Sequence, residues 1–114
     1  MKKLVLNTLL LVLLSSFSAM ANEKTDSVKV WGNCGMCQAR IEKAAKEGGA
    51  ARASWSEETK ILNVSFDPAS TSLKAIEQKV AAVGHDTEND TAPKSVYSKL
   101  PGCCKYDRKP GAEQ

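Results

Sequence analysis

Apolar and polar positions alternate along this chain in two different periods, and the switches between them mark the elements. Over residues 27–31, Val28 and Val30 fall on one side and Lys29 and Trp31 on the other, the pattern of a strand with one buried face. Residues 32–35 form a loop, because a Gly-Asn pair favours turns. From Met36 or Cys37 the period lengthens. Cys37, Ile41, Ala44 and Ala45 recur at i, i+4, i+7 and i+8, with Gln38, Arg40, Glu42, Lys43 and Lys46 on the outer face, which predicts a helix ended by Gly48-Gly49. Ala51, Ala53 and Trp55 alternate in a second strand, and the polar residues 56–59 read as a hairpin turn. A third strand over Ile61–Phe66 points Leu62, Val64 and Phe66 one way. Asp67-Pro68 interrupts the pattern, and Thr71 or Ser72 caps a second helix with a stripe of Leu73, Ile76, Val80 and Val83, stopped by Gly84. Residues 85–91 are polar throughout. Their place in the order predicts a short fourth strand at a sheet edge.

The predicted order is β-α-β-β-α-β, a ferredoxin-like α+β sandwich with two helices on one face of a four-stranded antiparallel sheet. After residue 91 the composition shifts to Pro, Lys, Ser and Gly, so residues 92–114 are expected to be a flexible C-terminal tail. The other end has a different character. Lys2 and Lys3 precede an apolar run over residues 4–14, and Ala19-Met20-Ala21 is a small-residue cleavage site. That run is shorter than the roughly 20 residues needed to span a bilayer. Residues 1–21 are therefore expected to be a secretory signal, leaving a protein that works in the periplasm without a stable membrane anchor. The expected division is 1–21 signal, 22–91 folded domain and 92–114 tail.

Removing the signal changes the charge balance. It holds two of the 16 lysines and arginines and none of the 13 acids, which leaves 14 against 13. A balanced surface with no basic stripe offers nothing to nucleic acid. The sequence also holds no paired carboxylates in a motif, no nucleophile–base pair and no phosphate-binding loop, so no enzyme is predicted.

The chemistry lies in the cysteines. Cys34 and Cys37 form a C-x-x-C pair at the join between the first strand and the first helix. Such pairs serve redox enzymes, zinc sites and soft-metal carriers. At a helix N-terminus the partial positive charge favours the thiolate, the form that binds metal. Two thiolates on a short loop suit copper(I), and mercury(II) as a comparable soft ion, whereas hard ions want oxygen ligands. Two other readings stay open at this point: a structural Cys34–Cys37 disulfide, and a thiol-disulfide oxidoreductase using Cys-Gly-Met-Cys. The chain is short for a thioredoxin fold, and a hairpin follows where a longer α/β unit would be expected.

A strand–loop–helix carrying C-x-x-C within a βαββαβ chain resembles the heavy-metal-associated domain family, which includes copper chaperones and the periplasmic mercuric-ion binding protein. The resemblance covers roughly residues 27–91. It implies that Cys34 and Cys37 are the metal ligands and that the ion is handed on by thiolate exchange to a membrane metal transporter or another metal-binding protein. One departure is visible. The family usually reads G-M-x-C-x-x-C, and here Gly32 stands where the methionine would pack beneath the loop. Met36, inside the motif, is the residue available to fill that space or to add a thioether contact.

Three further residues enter as additions to the pair. His85, the only histidine, follows the Gly84 helix stop at the end of the fold that carries the cysteine loop. Its candidate roles are third ligand, hydrogen-bond donor behind the ligands, or, as the simplest, a solvated surface histidine. Cys103 and Cys104 are adjacent, a spacing that strains a mutual disulfide. From Asp90 to Cys103 the chain can extend about 43 Å, more than the roughly 25–30 Å across a domain of this size. The tail cysteines can therefore reach Cys34 and Cys37, as extra ligands or as disulfide partners, with Tyr97, Leu100 and Tyr106 as apolar handles.

Overall fold

A computed structural model of the protein describes residues 22–112, so the expected signal over residues 1–21 lies outside the described residues. The first strand, β1, spans Lys24–Lys29 and leads into helix α1, Gly35–Glu47. Strands β2, Arg52–Trp55, and β3, Ile61–Phe66, follow, and then helix α2, Leu73–Ala82. The sheet order is β1-β3-β2, antiparallel throughout. Its register lines up the inward-facing residues in rows: Val28 opposite Leu62 opposite Trp55, and Val64 opposite Ala53. The two-residue side-chain period that predicted the strands places all of the inward row except the half-buried Ala53 in the core.

The helices close the other side of that core. Cys37, Ile41, Ala44 and Ala45 are the buried face of α1, the set its helical spacing predicts. Ile76 and Val80 are the matching positions of α2. Small residues let the two helices approach closely: a Cβ on Gly48 would sit 2.9 Å from the Ile76 backbone. Ser72 caps α2, its Oγ accepting from the Ala75 amide at 3.1 Å and satisfying one of the open N–H groups of the first turn.

Two expectations need correction. The first is the fourth strand. Residues 85–91 lie at the sheet edge, as that strand was expected to, but their pairing is one bridge, Thr87 with Val30 just past the end of β1. Two main-chain bonds flank the bridge, Trp31 N–H to Asp86 O and Glu88 N–H to Lys29 O, both 2.9 Å. The segment then turns away, because Thr87 N–H bonds Asp90 O and Asp90 N–H bonds Thr87 Oγ1. Its polar side chains have inward partners of their own: Thr87 Oγ1 and Asn89 donate to the buried carboxylate of Glu77. A segment whose side chains are committed to such a network cannot keep strand alternation, so among the described residues the sheet has three strands.

The second correction concerns the tail. Residues 92–112 are not a loose appendage: they fold back over the end of the domain, with a single helical turn α3, Lys94–Tyr97, and a 3₁₀ turn at Gly102–Cys104. Ala92, Leu100, Cys104, Tyr106 and Arg108 are all buried. The Tyr106 hydroxyl donates to Gly84 O at 2.6 Å and accepts from Asp86 N–H at 2.8 Å. Gly84, at φ +110°, adopts a backbone conformation that side-chain-bearing residues rarely take, and a Cβ there would lie 2.9 Å from Leu100. Arg108 grips both carboxylate oxygens of Asp86, at 3.0 and 2.6 Å, and also donates to Ala92 O. Composition predicted a flexible tail; these few anchors hold it down.

Candidate metal centre

The loop between β1 and α1 is built on a floor supplied from across the sheet. Where the family pattern would place methionine, Gly32 is buried, and a Cβ on it would come within 3.1 Å of the Trp55 ring and 3.2 Å of Cys37 Cβ. The indole of Trp55 therefore occupies the space under the loop, and its Nε1–H donates to Val30 O at 2.9 Å. Lys60 closes the side, its ammonium donating to Gly32 O at 2.7 Å. Met36 does not fill that space. It is 55% exposed, and its Sδ lies 3.4 Å from Cys103 Sγ.

This floor sets the two cysteines of the motif. Cys34 is the N-cap residue of α1 and is half-buried; Cys37, in the first turn, is fully buried. Their sulfurs are 3.6 Å apart. The Cys37 amide at the open end of the helix draws the Cys34 thiol pKa down to about 7, against the opposing effect of partial burial and with help from the Cys37 thiol, the Met36 amide and the Cys104 thiol. This gives a labelling prediction. Alkylation of reduced Cys34, followed by peptide mass mapping across pH, should rise through a midpoint near pH 7 and then level off. An onset only at about pH 8.5, the value of a free thiol, would contradict the geometry.

The tail brings a third sulfur to the same place. Cys104 is fully buried, and its Sγ is 3.8 Å from that of Cys34. The sulfurs of Cys34, Cys37 and Cys104 all lie within 4.8 Å of one another. Burial, more than the two neighbouring thiols, pushes the Cys104 thiol pKa well up, so it stays protonated until something displaces the proton. Cys103 is different: it is exposed, 3.9 Å from Cys104 Sγ, and turned toward Met36.

His85 is not the solvated surface residue its position suggested. It is fully buried, stacked on Tyr106 with ring centroids 5.3 Å apart. Its Nδ1 is 2.9 Å from Trp31 O, and since a carbonyl only accepts, Nδ1 carries the proton. Burial lowers its pKa, with the Arg40 charge adding to this and the Trp31 carbonyl opposing it, so the ring is neutral near pH 7. His85 thus ties the residue preceding the cysteine loop to the ring that anchors the tail. The structure brings together Cys34, Cys37 and Cys104, with Cys103 beside Cys104 and Met36 against Cys103, whereas His85 is engaged with Trp31 O and Tyr106.

Asp86, Arg108 and Trp55 were not singled out from the sequence. Trp55 was visible only as an inward strand residue. Nothing local marks Asp86 and Arg108 as partners, 22 positions apart.

No family model matches the chain. A copper-exporting P-type ATPase from Bacillus subtilis (strain 168) is 31% identical over 87 residues, 75% of this chain, and the chain spans 11% of that protein's length. Among solved structures, the copper form of a CopA variant from Bacillus subtilis is 33% identical, covering 62% of this chain and 99% of its own, with a TM-score of 0.51. Oxidised MerP from Ralstonia metallidurans CH34 is 26% identical, over 58% of this chain and 94% of that one, with a TM-score of 0.54. A CopZ metallochaperone shares the fold, with a TM-score of 0.53 at 21% identity over 56% of this chain and 98% of that one.

Proposed function

The chain belongs to the heavy-metal-associated domain family, and from that membership we propose that it binds a soft metal ion through Cys34 and Cys37 and passes it on by thiolate exchange. Copper(I) is the first cargo and mercury(II) the second. The copper-exporting ATPase and the copper form of CopA among its relatives support that order. The protein acts in the periplasm, and its partner is a membrane metal transporter or another metal-binding protein. It catalyses no bond-making reaction.

The observation that carries this reading is the pair of sulfurs 3.6 Å apart at the N-terminus of α1, one of them half-exposed with its thiol pKa near 7. A thiolate available at neutral pH can capture a soft ion without first paying to lose a proton, and the second sulfur stands directly behind it. Exchange with a partner cysteine then replaces one metal–sulfur bond at a time. At no step is the ion released to water.

Copper(I) binding to the purified, reduced protein, measured by competition with a chromogenic chelator, tests the proposal. Tight one-to-one binding is expected, weakened at least a hundredfold in Cys34→Ser/Cys37→Ser. Weak binding that the double substitution leaves unchanged would overturn it and turn attention to the Cys-Gly-Met-Cys pair as an oxidoreductase dithiol.

A further inference from the structure

A two-cysteine carrier leaves unexplained why the folded tail buries Cys104 with its sulfur 3.8 Å from that of Cys34. We propose that the site takes its ion with three thiolates, from Cys34, Cys37 and Cys104, so that the folded tail is a permanent wall of the metal site. This rests on the metal-carrier reading above and assigns that site a ligand and a coordination number.

Sulfur spacing is the first argument. A metal–thiolate bond is about 2.3 Å, so an ion held linearly between two sulfurs needs them about 4.6 Å apart. Cys34 and Cys37 stand at 3.6 Å and would have to spread by about 1 Å to hold an ion that way. The triangle fits as it stands. Two of its sides are 3.6 and 3.8 Å, and the third is no longer than 4.8 Å. For any third side from 3.6 Å up to that bound, the point equidistant from all three sulfurs is about 2.1–2.4 Å from each, a metal–thiolate bond length.

The second argument is how firmly the third sulfur is held. On one side of Cys104, its amide donates to Pro101 O at 2.8 Å, and Leu100 packs against Gly84. On the other, Tyr106 N–H donates to Cys104 O at 2.9 Å, and the Tyr106 hydroxyl bridges Gly84 and Asp86. Tyr97 donates to Tyr106 O at 2.6 Å, and Arg108 locks the end of the segment onto Asp86. A buried thiol could also serve as a small apolar filler. Filling a core, however, does not require its sulfur to meet two others at ligand spacing.

Loading is balanced simply. Each thiol that coordinates does so as the thiolate and releases its proton to solvent, and no electron is transferred. With Cys37 and Cys104 fully buried, the incoming or departing ion exchanges first at Cys34, the half-exposed member.

X-ray absorption on the reduced protein loaded with one equivalent of copper(I) tests this. Three sulfur neighbours are expected in the wild type and in Cys103→Ser, and two in Cys104→Ser or Cys104→Ala, with copper(I) affinity at least tenfold weaker in the latter pair. Two sulfurs in the wild type, with affinity unmoved by either Cys104 substitution, would overturn the inference and leave the two-cysteine carrier standing. Loss of the third sulfur in Cys103→Ser would equally overturn the assignment to Cys104. Failure of the wild type to bind copper(I) tightly would remove both readings. The wild-type spectrum by itself decides the coordination number, so the test holds even where a Cys104 variant does not fold.

Discussion

Asp86→Ala is expected to destabilise the protein by about 3–5 kcal/mol, because it strands the buried Arg108 guanidinium without its counter-ion. The two side chains are 0% and 1% exposed, so water cannot take over. More is lost than the ion pair: Asp86 Oδ1 also accepts from Ala92 N–H at 2.8 Å. Arg108→Ala should cost a similar amount. The double substitution should cost less than the sum of the two, since it leaves neither charge buried alone. Chemical denaturation of the four proteins completes the cycle, and a loss below about 1 kcal/mol, the range of an exposed pair, would show that the pair is solvated.

The same pair sets an acid dependence. Burial alone would raise the Asp86 pKa, but the bonds from Arg108 and the Ala92 amide outweigh it and hold the carboxyl below its ordinary value. A carboxylate with a depressed folded-state pKa stabilises fully above its unfolded pKa of about 3.9, and that stabilisation is lost as pH falls through the folded value. Acid should therefore loosen the tail, and Asp86→Ala should flatten the stability profile below about pH 4.

Trp55→Ala is the second large effect, expected at about 3–5 kcal/mol. The substitution empties a fully buried indole site and leaves the Val30 carbonyl without its donor. Its consequence reaches the cysteine loop, because the indole lies under Gly32, the position that also faces Cys37 Cβ. Trp55→Phe keeps most of the apolar volume and removes only the N–H, so its loss should be clearly smaller; the gap between the two variants measures the volume term. Equal losses in both would place the whole effect in the hydrogen bond and contradict the packing argument.

The corrections to the sequence reading share one cause. The expected elements through α2 were found because each is announced within its own span: Val28 and Val30 by alternation, Cys37, Ile41, Ala44 and Ala45 by helical spacing, Ser72 by its cap. Residues 85–91 are as polar as an edge strand, and only the buried Glu77 carboxylate explains why they bridge once and turn. The tail is mostly polar too, and Tyr97, Leu100 and Tyr106 were legible in it as handles without showing where they would grip.

The sequence by itself determined the order of strands and helices through α2 and the pair Cys34 and Cys37 at the strand–helix join, since periodicity and a four-residue motif act over neighbouring residues. Tertiary structure alone decided that Trp55 replaces the missing methionine, that His85 is buried against Tyr106, and that Asp86 and Arg108 bring Cys104 to within 3.8 Å of Cys34. Each of those contacts joins residues at least 20 positions apart. Their stabilisation exists only once water has been excluded from both partners, and no local pattern records that.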